Sequence, residues 1–339
     1  MHLLMYDTDA SKELKKPDSP LSFLQQRIND YDGSDLKMTM YGDGLDYRGF
    51  GDKYQTVRPL LEMADPNTLI VLADSRDTVL NIPASGDTTD DIYLMVSNFV
   101  QSHRRLTAQT PNAVVVSAEG QCCVSAMSHA SPGDYFDAAS GQRNKRACMS
   151  GSHNCAWSDN ANINAWVGAM QERAGVVTGR DHVDDPYLNA GLMVGYPMDL
   201  IRLIDLMDID PAEDDQAVLS GLMYEYPDKV VLDYNQELFG NNEWTEGEVD
   251  GCVYESSSSS LLQPLVHIKE KTQPLIIHTS GKFYGCLDLL LEALGGGSQH
   301  RYERESYEAL QQRQLRSLFG PPRGFIGYNG IALKDEEYE

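Results

Sequence analysis

The stretch TLIVLAD, Thr68 to Asp74, is apolar at every position from Leu69 to Ala73 and then stops on a carboxylate. A near-continuous apolar run has no polar face to turn to water, so it reads as a strand buried on both sides, of the kind found in parallel sheets flanked by helices. The neighbouring chain fits that reading. HLLMY (His2 to Tyr6), LKMTMYG (Leu36 to Gly42) and AVVVSAE (Ala113 to Glu119) are strand-like. PLSFLQQRIND (Pro20 to Asp30), KYQTVRPLLEMA (Lys53 to Ala64) and DDIYLMVSNFVQSHRRL (Asp90 to Leu106) carry apolar residues at helical spacing. Pro59 is expected to bend the second of these helices or to mark its first turn. Acids open the third and arginines close it, as helix polarity favours. This βαβα alternation predicts an open, mostly parallel twisted α/β sheet flanked by helices.

Residues 120–185 break the rhythm. They are rich in Ser, Gly, Asn and Ala, with one helical piece, INAWVGAMQERAG (Ile163 to Gly175), and are expected to form a loop-rich insertion or lid. YLNAGLMVG (Tyr187 to Gly195) resumes as a strand, followed by helices over Pro197 to Asp208 and Asp214 to Pro227 and late strands at KVVLDY (Lys229 to Tyr234) and PLIIHTSGK (Pro274 to Lys282). EVDGCVYESSSSSLLQ reads as a solvated connector. One domain over residues 1–294 with a peripheral tail over 295–339 follows, and no internal repeat is present.

Composition removes several classes of function. A formal net charge of −24 repels phosphate backbones and argues against nucleic-acid binding. No apolar run approaches the ~18 residues of a membrane span. The short apolar start is expected to be a first strand and not a secretory leader, which would leave the chain in the cytoplasm unless a leader is missing. Six cysteines in 339 residues are not a disulfide scaffold; Cys148 and Cys155 flank a polar segment and could pair, which leaves the redox compartment open. No CxxC spacing points to zinc.

Ligands of open α/β sheets bind at the carboxyl ends of the strands, which is where Asp74 and Asp77 fall. Two carboxylates there repel unless a cation, a proton or a basic group lies between them. Hard oxygen ligands suit Mg²⁺, Mn²⁺ or Ca²⁺; an equally good reading has Asp74 cap the next element while Asp77 is solvated. His278 ends a strand before Thr-Ser-Gly-Lys, and an imidazole beside two carboxylates shifts preference to Mn²⁺. Gly281 would let backbone approach a ligand and Lys282 would offer a point charge to a phosphate. His129, His153 and His267 have no comparable context. The acids of EDDQ (Glu213 to Gln216) either favour a helix N-terminus or turn one carboxylate into the pocket.

Taken together and in order, YGDGLDYRGFGDKY, LIVLADSRDTVL, VVVSAEGQCC, YLNAGLMVG, EDDQAVL, VVLDYNQELFGN and PLIIHTSGK resemble the glycosyltransferase domain of the procollagen lysyl hydroxylases and related collagen galactosyl- and glucosyltransferases, over roughly residues 2–290. The resemblance implies a GT-A fold that moves glucose or galactose from a UDP-sugar to a hydroxyl of a protein or glycan acceptor, of the hydroxylysine type among others. It implies Mn²⁺, or another divalent cation, on Asp74, Asp77 and His278. Tyr47 then matches the uridine-contacting aromatic and Lys53 the lysine after it; Ser75, Gly281 and Lys282 join them on the donor side. Asp214 and Asp215 match the acids implicated in transfer, and Asn189 an asparagine near the sugar pocket. The secretory pathway, in the ER or Golgi lumen, is the implied location. This chain departs from the family where Tyr47 replaces Trp, where Cys123 replaces an aromatic, where Ser280 replaces Asn, in a shorter glycine-rich segment before Lys53 and in a longer insertion. The hydroxylase domains are absent from this sequence. Two rivals are a metal-dependent phosphoesterase, whose strand ends D-x-D-x-T where this one has DSRDT, and a carbohydrate-binding relative without catalysis.

Overall fold

The computed structural model describes residues 1–16, 19–30, 35–82, 89–135, 159–242, 252–256, 264–280 and 284–295. In chain order the elements are β1 (His2–Tyr6), α1 (Ala10–Glu13), α2 (Pro20–Asp30), β2 (Lys37–Tyr41), α3 (Asp52–Met63), β3 (Ile70–Asp74), β4 (Thr78–Leu80), α4 (Thr89–Leu106), β5 (Val114–Glu119), α5 (Asn160–Thr178), β6 (Tyr187–Gly195), α6 (Pro197–Met207), α7 (Asp215–Glu225), β7 (Val230–Asp233), β8 (Phe239–Asn241), β9 (Tyr254–Ser256), β10 (Leu265–His267), β11 (Ile276–His278) and α8 (Tyr284–Ala293), with a 3₁₀ turn at Ser125–His129.

The central sheet has the order β2-β1-β3-β6-β5-β7. β2, β1 and β3 run parallel, as do β5 and β7, and β6 runs against both of its neighbours. The expected mostly parallel α/β sheet is therefore present, with one reversed strand at its centre. Successive side chains alternate between the two faces, as the pleat requires. Leu4, Ile70, Leu72, Val114 and Val116 pack on one face with Tyr54, Val57 and Leu61 of α3, Trp166 of α5, Ile201 and Ile204 of α6 and Leu219 of α7. Leu3, Met5, Val71, Ala73 and Val115 pack on the other with Leu21 and Leu24 of α2 and Val96 and Phe99 of α4. Burying both faces is the main favourable contribution to the fold.

A second sheet, β4-β11-β8, leans on the end of the first, and β9 pairs with β10. Val79, Tyr254, Leu265, Ile277, Leu287 and Leu290 form a third apolar cluster there. The expected connector EVDGCVYESSSSSLLQ thus contributes a strand at Tyr254–Ser256, because β10 offers it an antiparallel edge. A disulfide joins Cys252 to Cys286, tying β9 to α8, and another joins Cys122 to Cys123; Cys148 and Cys155 lie outside the described residues.

Helix boundaries follow local chemistry. Asp159 caps α5 by accepting from the Ala161 N–H, and Gly179, at φ 67°, closes it in the left-handed conformation that glycine adopts without penalty. Pro197 opens α6 at a position where its missing N–H costs nothing. Pro59 sits inside α3 and not in its first turn.

Candidate active site

The carboxyl ends of the parallel strands carry the acids. Asp74 is the last residue of β3, and Asp77 lies in the short turn into β4. That turn is stitched to a segment about 200 residues away in sequence. The Asp77 carbonyl accepts from the Thr279 N–H at 2.8 Å and from its hydroxyl at 3.1 Å. Pairing of β11 with β4 sets His278 opposite Thr78, so His278 arrives beside Asp77. Its Nε2 stands 3.4 Å from Asp77 Oδ1. That contact is an ion pair when the ring is protonated, and Nδ1, on the other side of the buried ring, has no hydrogen-bond partner. Burial disfavours charging the ring, yet the carboxylates of Asp77, Asp74 and Glu119 outweigh it and raise the His278 pKa.

β6 supplies the floor. Its register with β5 breaks between Val116, opposite Met193, and Ser117, opposite Asn189. The bulge turns backbone groups toward the site. The Ala190 carbonyl accepts from Lys53 Nζ at 3.1 Å, and the Gly191 N–H donates to Asn189 Oδ1 at 2.9 Å. A Cβ on Gly191 would stand 2.4 Å from His278 Cε1, so a glycine is what lets the imidazole lie on the strand.

Two helix N-termini meet over that floor. Lys53, in the first turn of α3, is 9% exposed. Its ammonium lies 3.1 Å from Asp74 Oδ1 and 2.8 Å from Asp215 Oδ2. Burial opposes its charge, but the two carboxylates, Asp215 first, hold its pKa well above the ordinary value. Tyr54 donates its hydroxyl to the same Asp215 oxygen at 3.0 Å. Asp214 caps α7, accepting from the Ala217 N–H at 3.0 Å. Burial, reinforced by the Asp215 charge, pushes the Asp214 pKa up to about 7.

Glu119, at the end of β5, belongs to this group, and the sequence reading did not name it as a site residue. Its carboxylate accepts from Asn189 Nδ2 at 2.8 Å and Gln216 Nε2 at 2.6 Å. Ser280 Oγ is 3.5 Å away. Burial raises its pKa to about 7, against the pull of those amides. The available signal was that VVVSAE ends in an acid at a strand terminus, as IVLAD does.

The remaining expected residues divide. Tyr47 is 42% exposed on the loop before α3, edge-on to Phe50 at 6.5 Å. Partial burial, with Asp215 as the next cause, pushes its phenol above the usual range. Gly49 and Gly51 press this loop onto the segment before α7, where a Cβ on Gly49 would lie 2.4 Å from the Pro211 carbonyl oxygen. Ser75 is buried and donates its hydroxyl to Asp7 at 2.8 Å. Arg76 grips both oxygens of the same Asp7, at 2.8 and 2.9 Å. Between Asp74 and Asp77, then, Ser75 and Arg76 pin the turn to the end of β1. Gly281 and Lys282 lie outside the described residues.

The donor set fits a divalent cation: carboxylate oxygens and one buried imidazole whose Nδ1 lacks a hydrogen-bond partner. Among the described residues, however, no three such side chains already surround a metal position. Asp74 is instead engaged by Lys53.

No protein-family model matches the chain, and no curated protein matches it. Among solved structures it is similar to the galactosyltransferase LgtC in complex with donor and acceptor sugar analogues, at 10% identity and TM-score 0.35, covering 90% of this chain and 99% of that one. It is also similar to the bifunctional glycosyltransferase WbbM in its apo form, at 11% identity and TM-score 0.36, covering 90% of this chain and 51% of that one. Mouse xyloside xylosyltransferase 1, apo form, aligns at 12% identity and TM-score 0.33, covering 82% and 97%. At these scores no residue role and no substrate passes from them to this chain. Among the described residues no helix is long and apolar enough to cross a membrane.

Proposed function

We propose that this chain is a GT-A-type hexosyltransferase that uses a UDP-sugar and a divalent cation, Mn²⁺ by the chemistry of its donors. The observation that carries this reading is the arrival of His278 beside Asp77, buried and with its Nδ1 lacking a hydrogen-bond partner, at the same sheet end as Asp74.

Asp74, Asp77 and His278 would hold the cation, which when bound neutralises the diphosphate and the charge growing on departing UDP. Tyr47, exposed on its loop, offers a ring to the uracil. Lys53 offers a positive charge to the phosphates and also holds Asp215. Asp215, held by Lys53 and Tyr54, is suited to accept hydrogen bonds from sugar hydroxyls. Asp214, with a pKa raised to about 7, is suited to take a proton from an acceptor hydroxyl. Asn189 reaches the pocket through Glu119, which fixes its amide. The resemblance to collagen glycosyltransferases makes hydroxylysine-bearing peptides and glycans the first acceptors to try and glucose and galactose the first sugars.

The test is UDP release from UDP-glucose and UDP-galactose with Mn²⁺ and these acceptors. Release with one donor, abolished by EDTA and cut at least about a hundredfold by Asp77→Ala, is expected. No UDP from any donor, or free phosphate from simple phosphomonoesters instead, would overturn the proposal and favour the phosphoesterase.

A further inference from the structure

Lys53 is the one cation described within hydrogen-bond reach of Asp74. An ammonium has three N–H donors. Those of Lys53 face three acceptors: Asp74 Oδ1, Asp215 Oδ2 and the Ala190 carbonyl, at 3.1, 2.8 and 3.1 Å. The group is 9% exposed, and its place is built by three separate elements. It has the features of a filled monovalent cation site whose occupant is covalently tethered. One of its ligands is the first acid of the D-x-x-D pair, which the metal reading also requires.

We infer that Lys53 is a built-in competitor for Asp74, holding that carboxylate until a nucleoside diphosphate and its cation arrive together. This rests on the function proposed above. A bare divalent ion entering at Asp74 meets a positive charge already bound to one carboxylate oxygen and fixed by Asp215 on its far side. Like charges at such separation in a partly desolvated cleft repel strongly. A diphosphate brings negative charge toward which Lys53 can turn, releasing Asp74 to the ion. Cation and nucleotide would then each raise the other's affinity by the same factor. The consequence is a site that stays metal-poor without donor substrate, and Lys53 is the positioning residue that makes it so.

Free Mn²⁺ measured by electron paramagnetic resonance reads this without any activity assay. Lys53→Met should bind Mn²⁺ at least about tenfold more tightly than wild type in the absence of UDP, and UDP should then strengthen Mn²⁺ binding less than it does in wild type. Arg48→Met removes an equal charge from the loop before the same helix, where Arg48 pairs with Asp52, so it should change Mn²⁺ affinity less than about threefold. If Lys53→Met does not fold, Asp215→Asn serves, since it leaves the ammonium with Asp74 and should weaken Mn²⁺ binding several-fold more than Asp214→Asn does. Asp214→Asn removes an equal charge one residue away, and asparagine still caps the helix. Unchanged or weaker Mn²⁺ binding in Lys53→Met, or equal effects of the two aspartate changes, would overturn the inference. If wild type binds no Mn²⁺ with or without UDP, Lys53→Met decides. Binding gained there upholds the competition, and none there overturns both it and the metal reading.

Discussion

Gly191 shows how much one missing methyl can settle. The place its Cβ would take is 2.4 Å from His278 Cε1 and 2.8 Å from Nδ1, so Gly191→Ala must move either the imidazole or β6. The strand is buried along its whole length and paired on both sides, and the imidazole is the part more free to move. We expect Gly191→Ala to keep the fold, lose about 1–3 kcal/mol of stability from overpacking, and weaken Mn²⁺-dependent UDP binding at least about tenfold. Denaturant unfolding and UDP titration check the two parts. Wild-type UDP binding in Gly191→Ala would mean that His278 is not a ligand in its present place. At this scale much of the site could be read in sequence: Asp74, Asp77 and His278 were each marked by ending or following an apolar strand. Glu119 was marked in the same way, but its role shows only through Asn189 and Gln216, 70 and 97 residues on. The contacts of Lys53 with Asp215 and Ala190 likewise join residues too distant for any spacing rule.

Among the elements, the longer ones were legible, as was the three-residue β11, which the apolar run PLIIH marks, while the other short strands were not. β1, α2 and β6 have the bounds that their apolar patterns marked. β4, β8 and β9 are three residues each, too short for alternation to register, and they exist because β11 and β10 offer edges. The turn from β7 to β8 depends on one side chain. Asp233, fully buried, accepts from the N–H groups of Glu237 at 3.0 Å, Leu238 at 2.7 Å and Phe239 at 3.0 Å. Burial nevertheless raises its pKa to about 6. Its folded value lies above the unfolded one, so its carboxyl binds more proton in the fold between about pH 4 and 6. Its contribution is therefore fully present at low pH and is lost as pH rises through about 6. Asp233→Asn gives up acceptors to those N–H groups and should cost about 1–3 kcal/mol. The cost should be larger at pH 5 than at pH 8, because the wild type bears the charge penalty at pH 8. A cost independent of pH in urea unfolding would contradict the burial of an ionisable Asp233.

Across the whole molecule the chain bears a formal net charge of −24, and the candidate site itself gathers the carboxyl groups of Asp74, Asp77, Glu119, Asp214 and Asp215. Such a molecule attracts cations and repels a free diphosphate at long range. Under the proposed function, a phosphate ligand would be recruited through positive charge inside the site, from Lys53 and a bound divalent ion. The disulfide from Cys252 to Cys286 closes a loop of sequence separation 34 around β9, β10 and β11, the part of the fold that carries His278. By loop-closure entropy it is worth roughly 3–4 kcal/mol. Reduction should lower the melting temperature and cost UDP affinity together, and a melting temperature unmoved by reduction would mean that the bridge does not brace this lobe. The claim on which the rest depends is that Asp77 and His278 join Asp74 in binding a divalent cation against a nucleoside diphosphate. Calorimetric titration of UDP into the wild type and into Asp77→Asn, each with Mn²⁺ and with EDTA, tests it most directly. Wild-type affinity at least about tenfold higher with Mn²⁺, with no difference between Mn²⁺ and EDTA in Asp77→Asn, is the expected result. UDP affinity that is equal with Mn²⁺ and EDTA in the wild type, or no UDP binding in either, would contradict it.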